Sequence, residues 1–171
     1  MTVAIETGLW QLDPAGSTVA IAHRTMWGLV TVKGTFGGVT AEGEIRPDGR
    51  AHGVVTLDAT SLDTKNAKRD EHLRGSDFFD AENNPTLAFA VDDAVVRQDD
   101  SVDITGRLTV RGESRPQAIT ARVTESSTDA VSLTTEFTVD REQFGMGWNQ
   151  LGMIRGRTTV TATLAFTRTP A

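Results

Sequence analysis

The chain of 171 residues contains no cysteine and no tyrosine, and aromatic residues make up only 6% of it. Without cysteine, disulfides, thiolate metal sites and a cysteine nucleophile are all excluded. The absence of disulfides fits a reducing compartment. With so few aromatic residues, an apolar interior would be built mainly from small aliphatic side chains.

Long apolar stretches are absent as well. No segment approaches the roughly 20 apolar residues that a membrane-spanning helix needs. Segment 1–14 has neither the basic start nor the apolar run of a secretion signal. We therefore expect a soluble, cytoplasmic protein without a membrane span.

The sequence also lacks a basic patch with interleaved aromatic residues, and its formal net charge is 17 − 23 = −6. This balance argues against nucleic acid as a partner. There is no internal repeat, low-complexity tract or linker. Residues 1–171 are therefore predicted to form one domain, which is long enough to bury a core.

Motifs of common catalytic and metal sites are missing too. There is no GxSxG elbow, no glycine-rich phosphate loop, and no HExxH or HxH spacing. His23, His52 and His72 lie on separate segments, and a metal site would need them to converge with a carboxylate. We expect no metal, no cofactor and no catalytic residue.

What the chain does contain is a sustained alternation of apolar and polar residues, the period of a β-strand with one buried face. Turn-forming residues separate the runs, most clearly Arg46-Pro47-Asp48-Gly49 and the Asp99-Asp100 pair. The apolar sets of the clearest runs are Val19 and Ile21; Leu87, Phe89 and Val91; Val102, Ile104, Leu108 and Val110; Ile119, Ala121 and Val123; Val131, Leu133, Phe137 and Val139; and Val160, Ala162, Leu164 and Phe166.

These runs predict an all-β protein of about eight long antiparallel strands, which must hide their apolar face. A closed barrel does so and also removes the sheet edges, whereas a two-sheet sandwich is the competing solution. Long consecutive hairpins, glycines within strands and a single helical insert between strands favour the extended eight-stranded barrel.

The lumen of such a barrel is either filled by side chains or open to one ligand. Phenylalanines such as Phe36 and Phe137 can fill it, whereas the many small aliphatic residues favour an open, apolar cavity. For each candidate, packing in a structural core is the competing interpretation. Our candidates for lining residues are Val19, Ile21, Val32, Phe36, Leu57, Phe78, Phe79, Phe89, Ile104, Leu108, Leu133, Phe137 and Leu164.

One segment, 63–89, breaks the strand pattern and predicts a helix. Asp63 or Thr64 can cap its start, and Gly75 is suited to a left-handed stop. The two phenylalanines Phe78 and Phe79 follow directly. The segment is best interpreted as a lid that closes or braces the barrel, with both rings facing inward.

Within this segment Arg69, Asp70, His72 and Arg74 form an ionic cluster. The two arginines can bind the polar or phosphorylated head group of a ligand at the barrel mouth. They can instead form a network that holds the helix, in which Asp70 and Arg74 are a helical i, i+4 pair. The third interpretation is that these charges face water.

Two loops carry apolar residues that can gate a barrel end. They hold Met26 with Trp27, and Met146 with Trp148. Methionine adapts to irregular contacts, and tryptophan offers a large area with one polar group. A packed hairpin or a dimer contact is the alternative.

Several segments, in order along the chain, resemble the YceI-like family of lipocalin-like polyisoprenoid-binding proteins. The most specific are the helical motif and the glycine-containing hairpin that follows it. The matching segments are 10–14 (WQLDP), 34–36 (GTF), 69–74 (RDEHLR), 77–79 (DFF), 104–112 (ITGRLTVRG), and Arg141 with Phe144 and Gly145. The resemblance implies a lipocalin-like barrel whose lumen holds a long isoprenoid chain, often in a dimer.

The leading hypothesis is therefore a non-enzymatic protein that binds, carries or sequesters an extended isoprenoid-type lipid, a prenyl quinone or prenyl phosphate. An enzyme acting on a small apolar substrate, with the Arg69/Asp70/His72/Arg74 cluster at the mouth, is the alternative. A purely structural or stress-related interaction domain with a filled lumen is the third.

Overall fold

The computed structural model describes residues 5–146, 149, 152 and 154–169. Within these residues the chain forms eleven strands and one α-helix. The strands are β1 (Gly8–Leu12), β2 (Thr18–Thr25), β3 (Val30–Phe36), β4 (Val39–Ile45), β5 (Ala51–Asp58), β6 (Leu62–Asp63), β7 (Thr86–Val96), β8 (Ser101–Val110), β9 (Glu113–Ser126), β10 (Ala130–Val139) and β11 (Arg155–Arg168), and the helix is α1 (Ala67–Arg74).

The strands close into an antiparallel ring in the order β1-β4-β5-β7-β8-β9-β10-β11, and β11 pairs back onto β1. This confirms the eight-stranded barrel and not the sandwich. The other end of β11 pairs with β2, which pairs with β3, and β3 carries the two-residue strand β6. The barrel therefore has a different set of strands at each end.

Two breaks in the chain explain this arrangement. β1 and β2 are separated by a 3-10 turn at Pro14–Gly16, where the Asp13 carboxylate accepts a hydrogen bond from the Ala15 amide at 3.1 Å. β3 and β4 are separated by Gly37 and Gly38. Each break divides a long extended segment into two strands, so the two strands can pair with different neighbours.

The registers place the alternating apolar residues on the inner face, as predicted. Leu133 lies opposite Leu164 on β10 and β11, and Phe89 lies between Val55 and Leu108 on the adjacent strands. The register shifts at β7 between Val91 and Asp93, where a β-bulge bends the strand.

Gly106 marks the closest approach of two strands in the wall. A Cβ atom there would lie 2.1 Å from the backbone oxygen of Ala90 and 2.9 Å from Cζ of Phe89. Both distances are too short for any side chain, so this position requires glycine. A glycine within a strand is explained at this position by steric approach and not by an unusual φ.

The helical insert and its end at Gly75 are confirmed, but the predicted N-cap and the left-handed conformation of Gly75 are wrong. Asn66 is the N-cap, and its side chain accepts from the Arg69 amide at 3.1 Å. The predicted caps, Asp63 and Thr64, lie further upstream and bond to other groups. Gly75 ends the helix with a φ of −79°, which is not left-handed, because the chain continues directly into the turn that carries Phe78.

Candidate functional site

The barrel interior holds two cavities, of about 490 Å³ and 540 Å³. The first lies at the end closed by α1, and the second lies at the end with the β4–β5 hairpin. They are joined at a common wall, formed by Val55, Val91, Ile104, Leu133 and Phe166. The two cavities therefore adjoin along the lumen, which we call the channel, and each has a volume typical of ligand pockets.

All thirteen residues predicted to line the lumen lie on the wall of the first cavity. Phe36 and Phe78 are buried in that wall, and Phe36 meets Phe79 edge-on with ring centres 6.0 Å apart. The phenylalanine rings therefore surround the cavity without filling it.

The predicted mouth residues fall into two groups. Met26, Arg69, His72 and Met146 line the first cavity. Among the residues that the structure describes, the cavity wall does not include Asp70, Arg74 or Trp27. Asp70 is the buried residue of α1, and Trp27 is nearly half exposed. Trp148 lies outside the described residues.

The ionic cluster is organised around Thr64. The buried carboxylate of Asp70 accepts from the Thr64 amide at 3.0 Å and from its hydroxyl at 2.5 Å. Arg69 donates from Nε to the Thr64 hydroxyl at 2.8 Å and from Nη2 to the Thr64 carbonyl at 2.7 Å. The predicted network exists, but a threonine joins its acid and base.

The expected Asp70–Arg74 pair is wrong, because Asp70 is turned towards Thr64 at the start of the insert. The buried Nε of Arg74 has no hydrogen-bond partner among the described residues. Asp63 pairs with Lys65 at 3.1 Å, and hydrogen bonds from Lys65 hold the pKa of Asp63 below its usual 3.8.

The segment after α1 is fixed by its own contacts. His72 lies 2.9 Å from Asp77 across the turn, and its ring meets Phe78 edge-on with centres 5.1 Å apart. Phe78 and Phe79 both face the cavity. The segment from Thr64 to Phe79 thus has the geometry of the predicted lid, held at its start by the buried bonds of Thr64 and carrying its two phenylalanine rings on the cavity side.

Sequence reasoning missed several polar residues of the first cavity. His23 lies on its wall, with Nδ1 2.7 Å from the hydroxyl of Thr158. His23 follows Val19 and Ile21 in the same period, so the alternation of β2 already placed it inside. The signal was available and was overlooked.

Arg141 is the second polar group that was missed. It is 8% exposed, lines the cavity and donates to the carbonyl oxygen of Met146. Burial lowers the pKa of Arg141, and the neighbouring Glu142 and Asp140 oppose this shift. Arg141 continues the inward period of Phe137 and Val139, which was the signal for it.

The second cavity was not predicted at all. Its apolar wall includes Trp10, Ile45 and Ala94, and its rim carries Glu44 and His52, which lie 3.3 Å apart. Register shifts and short strands obscure the alternation at this end of the barrel. The channel is therefore apolar along its length, with polar residues at both ends.

Two further observations bear on the chemistry of the site. Among the described residues, no group of three or more metal-binding side chains is close enough to hold an ion. Nor does the described part of the chain include a helix long and apolar enough to cross a membrane.

An antiparallel eight-stranded barrel with an apolar lumen below a helical insert defines a lipocalin-like protein. The family model of the YceI-like domain matches residues 10–166. The chain therefore belongs to the YceI-like domain family, as its motifs predicted.

Among sequence relatives, a UPF0312 protein of Staphylococcus epidermidis is 31% identical over 131 residues, which cover 70% of this chain and 71% of that protein. A UPF0312 protein of Pseudomonas aeruginosa is 44% identical over 69 residues. That match covers 40% of this chain and spans only 36% of the relative's length.

Solved structures show the same fold. BcnA of Burkholderia cenocepacia superposes with a TM-score of 0.81 at 19% identity, covering 90% of this chain and 98% of BcnA. A polyisoprenoid-binding domain of Saccharophagus degradans gives a TM-score of 0.76 at 15% identity, covering 96% and 100%. At these identities the likeness concerns the fold alone.

Proposed function

We propose that the protein binds, carries or sequesters one extended apolar lipid of the isoprenoid type in its lumen, without catalysing a reaction. The observation that carries this proposal is the pair of adjoining cavities with apolar walls and polar groups at the two ends of the lumen. The name of the Saccharophagus degradans domain, which has the same fold, supports the choice of ligand class.

Burial of apolar area supplies the driving force. Each buried CH₂-sized group contributes about 0.8 kcal/mol, so one five-carbon unit contributes roughly 3–4 kcal/mol before the costs of binding. A few units would bind well without a strong polar contact. The channel therefore needs no elaborate recognition motif, in keeping with the few polar residues on its wall.

We place the head group of a prenyl quinone or prenyl phosphate at the first mouth, the opening of the first cavity beside α1. Arg69 and Arg141 supply guanidinium groups there, which suit carbonyl or phosphate oxygens. His23 and Thr158 add a polar pair beside them. The chain would then extend past Ile104 and Leu133 towards the second cavity.

The enzymatic alternative is less well supported. It requires the Arg69/Asp70/His72/Arg74 cluster to act on a substrate at the mouth. Only Arg69 and His72 of these four line the cavity, and Asp70 is occupied by its bonds to Thr64. The cytoplasmic location, the dimer and the absence of a nucleic-acid partner remain predictions.

Native mass spectrometry of protein purified from its own host tests the proposal directly. We expect a bound lipid whose mass matches an isoprenoid series, and a rise in Tm on adding prenyl quinones or prenyl phosphates. The substitution Ile104→Trp places a large ring where the two cavities meet. It should abolish binding of long chains or limit binding to short ones.

Thr105→Trp is the matched control, because this neighbour on β8 points out of the barrel and is exposed. It should bind like the unaltered protein. The proposal fails if no lipid co-purifies and none of the added prenyl compounds changes the Tm. It also fails if both tryptophan variants bind long chains equally well.

A further inference from the structure

The turn between β2 and β3 exposes an apolar surface beside the first mouth. We call residues Met26–Val30 the β2–β3 tip. Leu29 is 85% exposed, and Met26, Trp27 and Val30 are each nearly half exposed. Single exposed apolar residues are ordinary on protein surfaces, but four within five positions form a patch that calls for a partner.

The backbone of the tip is held in an unusual conformation. Met26 and Trp27 have φ values of 51° and 57°, in the left-handed region that residues with a Cβ atom rarely adopt. Such strain concentrates at functional positions. Here the strained backbone coincides with the exposure of Trp27 and Leu29, two large apolar residues that the geometry of a hairpin turn does not require.

The surface around the tip has an unusual charge. Residues 14–41 and 143–171 contain no aspartate or glutamate, although the whole chain has a net charge of −6. These ranges include β2, β3 and β11, which pair side by side. Exposed Arg24, Lys33 and Arg157 give this face of the barrel a positive charge.

Acidic residues gather at the opposite end of the barrel. The β7–β8 hairpin alone includes Asp92, Asp93, Asp99, Asp100 and Asp103. This acidic hairpin lies at the far end of the barrel from the β2–β3 tip, whereas the insert at the first mouth contains acidic residues such as Glu71 and Asp77 as well as basic ones. The face formed by β2, β3 and β11 is therefore the basic surface next to the tip, and it would turn towards an anionic surface.

We propose that the β2–β3 tip and its flanking cations dock the protein on an anionic lipid bilayer. Trp27 suits the head-group region and Leu29 the edge of the acyl chains. Arg24, Lys33 and Arg157 would lie against the lipid phosphates. Because Met26 also lines the first cavity, docking sets the mouth of the lumen at the membrane surface.

A second copy of the chain is a poorer occupant of this surface. In a two-fold dimer the same patch meets itself, so the three cations would face their own copies. Like charges placed opposite each other weaken association. An anionic bilayer instead complements both the charge and the apolar tip.

Co-sedimentation with vesicles tests the docking, using phosphatidylcholine mixed with phosphatidylglycerol and phosphatidylcholine alone. We expect binding to the mixed vesicles that weakens as salt is raised. Leu29→Ser should lower the partition coefficient by about tenfold, since it removes one inserted leucine. Leu9→Ser, at a residue that is 57% exposed on β1, should change nothing.

Charge reversal gives a second, independent pair. Arg24→Glu should lower binding to the mixed vesicles by at least about fivefold, whereas Arg46→Glu on the distant β4–β5 hairpin should leave it unchanged. The proposal is overturned if each tip variant binds vesicles as its control does. It is also overturned if Leu29→Ser instead dissociates a dimer in solution without altering vesicle binding.

Docking does not depend on what fills the lumen, so the two proposals can fail separately. Lipid loading measured by native mass spectrometry in the absence of vesicles reports on the lumen alone. Vesicle binding by the Ile104→Trp variant, whose channel is blocked, reports on the tip alone.

Discussion

Thr64 is the residue on which the position of the insert depends. Its amide, hydroxyl and carbonyl all bond to side chains of α1, through Asp70 and Arg69. Thr64 and Asp70 are each 5% exposed. Because buried polar groups are costly when they lose their partners, the bonds of this pair determine how firmly the helix is held.

The substitution Asp70→Ala should therefore destabilise the fold. It leaves the Thr64 amide buried without an acceptor, which we expect to lower the free energy of unfolding by about 1–3 kcal/mol. Equilibrium denaturation in urea measures the change. Glu71→Ala, on the exposed neighbour, is the control and should lie within about 0.5 kcal/mol of the unaltered protein. Equal effects at the two positions would contradict the role given to Thr64.

At the scale of the elements, the strands were predictable because one-sided burial imposes a period of two. Phe89 and Leu108 needed only this period to be placed inside. The N-cap of α1 was not predictable, because whether Thr64 or Asn66 caps the helix depends on contacts with Asp70 and Arg69. His23 and Arg141 follow the period of two and point inward. Because they are polar, the pattern of apolar residues alone did not identify them as inward residues.

Gly106 gives a sharp test of how the wall is built. Gly106→Ala would place a methyl group against the Ala90 carbonyl, so β7 and β8 must separate locally. We expect a loss of about 1–3 kcal/mol from such overpacking, measured by thermal or urea unfolding. Gly37→Ala is the matched control, since nothing lies within 4 Å of the added carbon. Tolerance of both substitutions would show that the strands are further apart than described.

For the whole molecule, the barrel and its insert should differ in local stability. Asp70 is the one buried residue of α1, so opening the helix exposes little apolar area. The barrel strands instead share one closed ladder of hydrogen bonds. A segment such as α1, which buries little apolar area, opens locally at a lower free energy than that of global unfolding.

Hydrogen exchange followed by mass spectrometry should show this difference. Amides of residues 67–74 should exchange through local opening at low denaturant, while those of β10 exchange only on global unfolding. The β8–β9 hairpin is the control, because its turn joins two strands of the ring and shows how fast amides of a turn within the barrel exchange. Equal protection of α1 and β10 would show that the insert is part of the barrel's cooperative unit and not a lid.

The pairing of β1 with β11 has a consequence for how the chain is made. Trp10 lies opposite Arg168, so the seam of the ring joins residues separated by nearly the entire sequence. Contacts of this range form late and slow folding. A chain leaving the ribosome cannot close the ring until β11 has emerged. Until then the apolar inner faces of the earlier strands stay exposed, a condition that favours aggregation of the nascent chain.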